Sequence, residues 1–248
     1  MFVRKALSFL SRGVEVAASL VRPVHTRVLL REATDIRLER QRRALASTVD
    51  FVEEHMPGVR ACSSKFELLA QALQRADLSG DRLICEFGVF RAATINYIAS
   101  LTSKTVFGFD SFEGLPEDWR GTGIKKGHFA LGKLPAVRNN VVLVKGWFHE
   151  TIPPFMKQNS GMIGFIHIDC DLYSSAKVVL DLLQPRLSAG TMLVFDEYFN
   201  FPQWQQGEHR AFTEFLEKAG LTAEYIGFHG KDQQVAAILK ARRLSLSQ

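Results

Sequence analysis

From Leu83 onward, short apolar runs alternate with longer stretches in which apolar residues recur at helical spacing. The runs are Leu83 to Phe87, Thr105 to Phe109, Val141 to Val144, Gly164 to Ile168 and Met192 to Phe195. They are nearly continuous rather than alternating, as expected of strands covered on both faces. The stretches between them predict helices over Ala92 to Leu101, Ser174 to Leu187 and Glu208 to Ala219. Two last runs, Ala223 to Ile226 and Gln234 to Leu239, flank a turn-rich segment and read as a closing pair of strands. Strand and helix in alternation predict an α/β fold, with a seven-stranded, mostly parallel sheet and helices on both faces.

Upstream, Pro57 and Gly58 separate two predicted helices, Ala46 to His55 and Ser64 to Ala76, the second with Ser63 or Ser64 as its N-cap. These helices should lie over the edge of the site. Residues 1 to 45 read as a helical arm broken at Pro23, with Phe2, Leu7, Leu10 and Val14 on one face. The expected organisation is therefore an N-terminal helical extension over 1–45 and one catalytic-sized domain over 46–248.

Composition narrows the class. A chain of 248 residues, 46% of them hydrophobic, suits one large α/β core and is too short for two. The net charge of +5 is uneven, because ten Arg or Lys between Arg4 and Arg43 face only Glu15, Glu32, Asp35 and Glu39. With the basic excess on an appendage and the remainder near neutral, no nucleic-acid partner is expected. The arm reads as a packing or dimerisation element, which allows a homo-oligomer. Cys62, Cys85 and Cys170 are odd in number, lack metal-ligand spacing and read as reduced thiols of a cytoplasmic protein. Ser11, Arg12 and Glu15 interrupt the leader, so neither secretion nor a membrane span is expected.

The chemistry gathers at strand ends, where an open doubly wound sheet binds its ligands. The first run leads into Glu86-Phe87-Gly88-Val89-Phe90-Arg91-Ala92-Ala93-Thr94, in which Gly88 lets backbone approach a ligand. The loop lacks G-x-G-x-x-G, and an acid two residues before the glycine suits cationic groups better than a pyrophosphate. Asp110 ends the second run and is placed to accept hydrogen bonds from ribose hydroxyls, although a strand-terminal Asp also serves as a turn former. His167, Asp169 and Asp171 end the fourth run, and Asp196 and Glu197 end the fifth. Neighbouring parallel strands end about 5 Å apart, so these acids can converge and would then share a cation or a proton. Oxygen ligands favour a hard cation, Mg²⁺ first. The bland alternative is that Asp169 and Asp171 cap the following helix while Asp196 forms a turn.

These segments resemble the macrocin O-methyltransferase family. The similarity runs through Glu86 to Phe90, Gly108-Phe109-Asp110-Ser111-Phe112-Glu113-Gly114-Leu115-Pro116, Val141 to Phe148, His167 to Tyr173 and Phe195 to Tyr198, spanning about residues 60 to 240. The resemblance implies a Rossmann-like class I methyltransferase fold and S-adenosylmethionine as cofactor. Glu86, Gly88, Phe90 and Thr94 would surround its methionine end, Asp110 its ribose, and Ser111 and Phe112 its adenine, with Asp169 close by. It also implies a divalent ion on Asp169, Asp196 and Glu197. Two departures stand out: Ala92 and Ala93 replace glycines common in such proteins, and Glu197 is a methylene longer than the usual Asp or Asn.

The implied reaction is methylation of a hydroxyl on a sugar or other small molecule. Asp169 is then the first candidate base, with Asp171 or His167 in reserve. Acceptor contacts are expected from Tyr173, Tyr198, Trp204, Glu208 and Arg210, in or beside a stretch mixing aromatic rings, amides and charges. Two rivals remain: a metal-independent methyltransferase with His167 or His209 as base, and a non-catalytic cofactor-binding module.

Overall fold

The computed structural model describes residues 32–242. The chain divides into two units, residues 1–43 and 44–248. Most of the basic arm, and the oligomer contacts expected of it, lie outside the described residues. Helix α1 runs Ile36–His55, ten residues longer at its start than the spacing predicts. These first turns belong to the stretch already expected to be helical as part of the arm, and pairs such as Arg43 with Glu39 (3.1 Å) line their surface.

After α1 come β1 (Ala61–Cys62), α2 (Lys65–Arg75), β2 (Leu83–Phe87), α3 (Ala93–Ser100), β3 (Val106–Asp110) and β4 (Val141–Lys145). Then follow α4 (Phe148–Gln158), β5 (Ile163–Ile168), α5 (Tyr173–Leu183), β6 (Met192–Phe195), α6 (Glu208–Ala219), β7 (Leu221–His229) and β8 (Val235–Ala241). The strands form one sheet in the order β1-β7-β8-β6-β5-β2-β3-β4. Only β8 runs antiparallel to its neighbours. All seven expected strands are present, and the eighth, β1, is a two-residue addition at the edge beside β7. A pair that short leaves no pattern in a sequence.

Successive residues of the central strands feed two cores. Cys85, Phe87, Ile166 and Phe195 face α4, α5 and α6, while Ile84, Phe165, Met192 and Val194 face α2 and α3. Every residue of β5 is buried, which is why it reads as an unbroken apolar run. Helix α4 is unexpected from sequence because Pro153 and Pro154 lie inside it. Each removes an N–H that would bond four residues back, yet Ile152 and Phe155 bury the helix against the sheet and hold it.

Strand order reverses between β3-β2 and β5-β6, so the tips of β2 and β5 flank the crevice where such sheets bind ligands. Backbone bonds tie the tips together. Gly88 N donates to Phe109 O (2.9 Å), Asp169 N to Phe87 O (2.8 Å) and Asp196 N to Ile168 O (2.9 Å). None of the described helices is long and apolar enough to cross a membrane.

Candidate active site

Two cavities open at these tips. The first, about 300 Å³, lies over the β2–α3 loop and is lined by Gly88, Phe90, Asp110, Ser111, Asp169 and Glu197, among others. The second, about 440 Å³, is walled by Trp119, Arg120, Tyr173, Gln203, Gln206 and Arg210, with further residues around them. Asp171 borders both.

Gly88 governs the approach of β2 to β5. Its φ is +93°, and a Cβ there would stand 1.6 Å from the Asp169 carbonyl oxygen. Only glycine fits. The loop it opens curls around Asp110, whose Oδ2 accepts from Val89 N and Phe90 N (both 2.8 Å) while Oδ1 accepts from Phe112 N (2.7 Å). A carboxylate has about four acceptor sites, so at least one is left for a ligand hydroxyl. Phe90, Phe129 and Asp171 all line the first cavity with left-handed backbone, at φ 44°, 69° and 64°. Non-glycine residues held this way concentrate at functional sites.

The acids meet as expected, but not in the expected set. Glu86 and His167 are abreast on neighbouring strands, so their side chains touch. Glu86 Oε2 is 3.1 Å from His167 Nδ1, and Glu86 Oε1 accepts from Thr94 Oγ1 at 3.0 Å. Glu86 and His167 are both fully buried. Burial opposes the charged imidazole, but the Asp196 and Glu86 carboxylates outweigh it and push its pKa up to about 10. His167 is therefore occupied beneath the cavities and lines neither. The ligand atoms that converge to within 4.8 Å belong to His167, Asp169 and Asp196, leaving Glu197 outside that group.

Lys65, which sequence reasoning passed over, reaches this cluster. Its Nζ lies 3.4 Å from Asp196 Oδ2, and Gln234 Nε2 donates to the same oxygen at 3.2 Å. A signal was available: a lysine directly after the N-cap Ser64 sits against the helix dipole and needs another reason to be there. Despite burial, His167 and Lys65 hold the Asp196 carboxyl down at about 2. Burial and the neighbouring acids push Asp169 and Glu197 upward, Asp171 up to about 7 and Glu208 up to about 8. The cluster thus carries more carboxylates than its two cations neutralise. His167 Nε2, Asp196 Oδ1 and Glu197 Oε2 are buried without a hydrogen-bond partner. A small cation fits the two carboxylate oxygens, whereas the charged His167 presents a proton there and not a lone pair.

Several expected contacts lie elsewhere. Glu86, Thr94 and Phe112 support the loop from below and do not line the first cavity. Ala92 is buried in the core and Ala93 is exposed, so neither methyl crowds the chamber. Tyr173 and Arg210 do reach the second cavity, the guanidinium 4.6 Å from the Tyr173 ring centre. Tyr198, Trp204 and Glu208 do not. Tyr198 is fully buried against the Tyr225 hydroxyl, and Trp204 bonds Ser47 of α1 at 3.0 Å. Glu208, also fully buried, accepts from Cys170 N and Glu197 N and so ties the β5 and β6 loops together. His209 packs among Phe51, Tyr198 and Trp204, away from both cavities.

The profile of the family described as macrocin O-methyltransferase (TylF) matches residues 12–229. The chain belongs to this family. It is accordingly a member of a methyltransferase family, and its sheet is the class I methyltransferase fold. A curated relative, the 8-demethyl-8-(2,3-dimethoxy-alpha-L-rhamnosyl)-tetracenomycin-C 4'-O-methyltransferase of Streptomyces olivaceus, is 29% identical over 139 residues. That match takes in 46% of this chain and 52% of the relative, so the chain spans about half the length of the curated relative it matches. The calicheamicin methyltransferase CalS11 superposes with a TM-score of 0.58 at 28% identity, over 69% of this chain and 77% of that one. The O-methyltransferase NovP gives a TM-score of 0.53 at 20% identity, over 72% and 80%.

Proposed function

We propose that this chain transfers the methyl group of S-adenosylmethionine to a hydroxyl of a sugar-like acceptor, with the cofactor in the first cavity, the acceptor in the second and Asp171 as general base. The observation that carries this reading is that Asp171, alone among the described residues, lines both cavities. The base must touch the acceptor while the acceptor faces the methyl donor, and Asp169, the first candidate on sequence, borders only the cofactor chamber.

In the first cavity Asp110 would hold the ribose, and the acidic wall suits the sulfonium and ammonium charges. The acceptor hydroxyl gives its proton to the Asp171 carboxylate as its oxygen attacks the methyl carbon in line. The carbon–sulfur bond breaks, and S-adenosylhomocysteine leaves as a neutral thioether. Catalysis here is mostly alignment of two bound molecules. Trp119 and Tyr173 offer ring faces for a pyranose, with Gln203, Gln206, Arg120 and Arg210 as hydrogen-bonding partners. The rhamnosyl group in the tetracenomycin relative's name supports a deoxysugar acceptor.

A divalent cation, Mg²⁺ first, would be held by Asp169 and Asp196, with a shifted Glu197 as third donor. Such an ion lowers the pKa of a coordinated hydroxyl and orients it. A second reading dispenses with it, because the Lys65 ammonium already sits on Asp196. The free, buried Cys62, Cys85 and Cys170 support a reducing, cytoplasmic setting.

The test is methyl transfer to a panel of deoxysugar glycosides and nucleotide sugars, read by a mass gain of one methylene, with and without excess chelator. Product that disappears with chelator and returns with Mg²⁺ is expected. Product indifferent to chelator selects the metal-free reading. No product on the panel, with methylation of a protein or amine acceptor instead, overturns the sugar assignment.

A further inference from the structure

S-adenosylmethionine carries two cationic groups and one anion, the α-carboxylate of its methionine end. The first cavity is arranged against that anion, because Asp110, Asp169, Asp171 and Glu197 all line it. Anionic groups at a β–α loop are usually met by free backbone amides. Four of the amides that frame this loop are already taken: Gly88 N by Phe109 O, Val89 N and Phe90 N by Asp110, and Ala92 N by Val89 O. Arg91 offers no substitute, since its guanidinium lies over the Phe90 ring, outside the lining.

Lys65 is the one cationic side chain in that lining among the described residues. It enters beside Gly88 and Asp169, where the methionine end belongs if Asp110 holds the ribose. Asp196 Oδ2 at 3.4 Å takes one direction of the ammonium, and the side chain is 34% exposed. An ammonium has three N–H donors, so two remain for a ligand. We infer that Lys65 anchors the α-carboxylate of the cofactor. Asp196 then orients this ammonium, and the salt bridge between them is part of the cofactor site as well as of the acidic cluster. The inference rests on the first cavity being the S-adenosylmethionine site.

Calorimetry on the full chain tests it with two ligands that differ only in the group concerned: S-adenosylhomocysteine and its decarboxylated analogue. The wild type should prefer S-adenosylhomocysteine by roughly tenfold to a hundredfold, the range of a charge-assisted contact. Lys65→Met should lose that preference by weakening S-adenosylhomocysteine alone, and Lys65→Arg should keep most of it. If Lys65→Met retains the preference, or weakens both ligands equally while melting as the wild type does, the carboxylate is held elsewhere and the inference is wrong. Should Lys65→Met fail to fold, Lys65→Gln decides in its place: loss of the preference with the analogue bound as before agrees, and a preference kept at the wild-type level, or equal weakening of both ligands, contradicts it. A wild type that binds neither ligand refutes the cofactor reading itself.

Discussion

At the scale of single residues, Gly88 sets how closely the tips of β2 and β5 approach. Its left-handed φ and the 1.6 Å approach of a notional Cβ to the Asp169 carbonyl leave no room for a methyl group. Gly88→Ala should force the β2 and β5 tips apart, costing about 3 kcal/mol or more. For a domain of this size that is roughly 6–12 °C in Tm, and S-adenosylhomocysteine binding should fall with it. An unchanged Tm and affinity would show that the tips are not this close. Gly88, Asp110 and the paired acids were legible because each ends an apolar run, where the fold binds ligands. Tyr198 and Trp204 were misread for a physical reason: the aromatic stretch after Glu197 resembles a sugar-binding wall, but α1 supplies Phe51 and Ser47 to cover it. Trp119 and Arg120 stayed hidden because the long loop after β3 has no periodicity to place them.

At the scale of elements, α1 and α6 meet through an aromatic cluster that has a price in acid. His209 lies 5.3 Å from Phe51, 5.1 Å from Tyr198 and 4.9 Å from Trp204 by ring centres, and its Nδ1 has no partner. Burial, with a smaller push from His55 on α1, lowers its pKa to about 4. The unfolded chain, with a histidine near 6.5, binds more protons than the folded one between those values. The contribution of His209 to stability should therefore rise with pH from about 4 to about 6.5 and be lost as pH falls through that window, opposite in sign to the contributions of Asp171 and Glu208, whose raised pKa values make them fall as pH rises. The full effect is no more than about 3 kcal/mol, reduced by whatever water reaches the ring. Chemical denaturation across this range should show a flatter slope for His209→Phe than for the wild type, and identical slopes would mean that His209 titrates normally. The cluster could not be read from sequence, because it depends on α1 crossing a loop some 150 residues away; α4 was lost differently, its two prolines arguing locally against a helix that packing nonetheless holds.

At the scale of the whole molecule, continuous apolar runs were enough to place the parallel sheet, and the strand order then sets the site. Putting β2 and β5 at the switch point brings Gly88, Asp110, Asp169 and Asp171 to one crevice from segments far apart in the chain. What no spacing could show is that the crevice is two chambers sharing one wall residue. Single-turnover transfer of labelled methyl by Asp171→Asn, beside calorimetry of S-adenosylhomocysteine, probes that shared wall. Loss of a general base costs about 10²–10⁴ in rate, so transfer should fall by that factor while cofactor affinity stays within about twofold of wild type, a difference of some 0.4 kcal/mol. Transfer at the wild-type rate would contradict the shared wall and return the role of base to another residue.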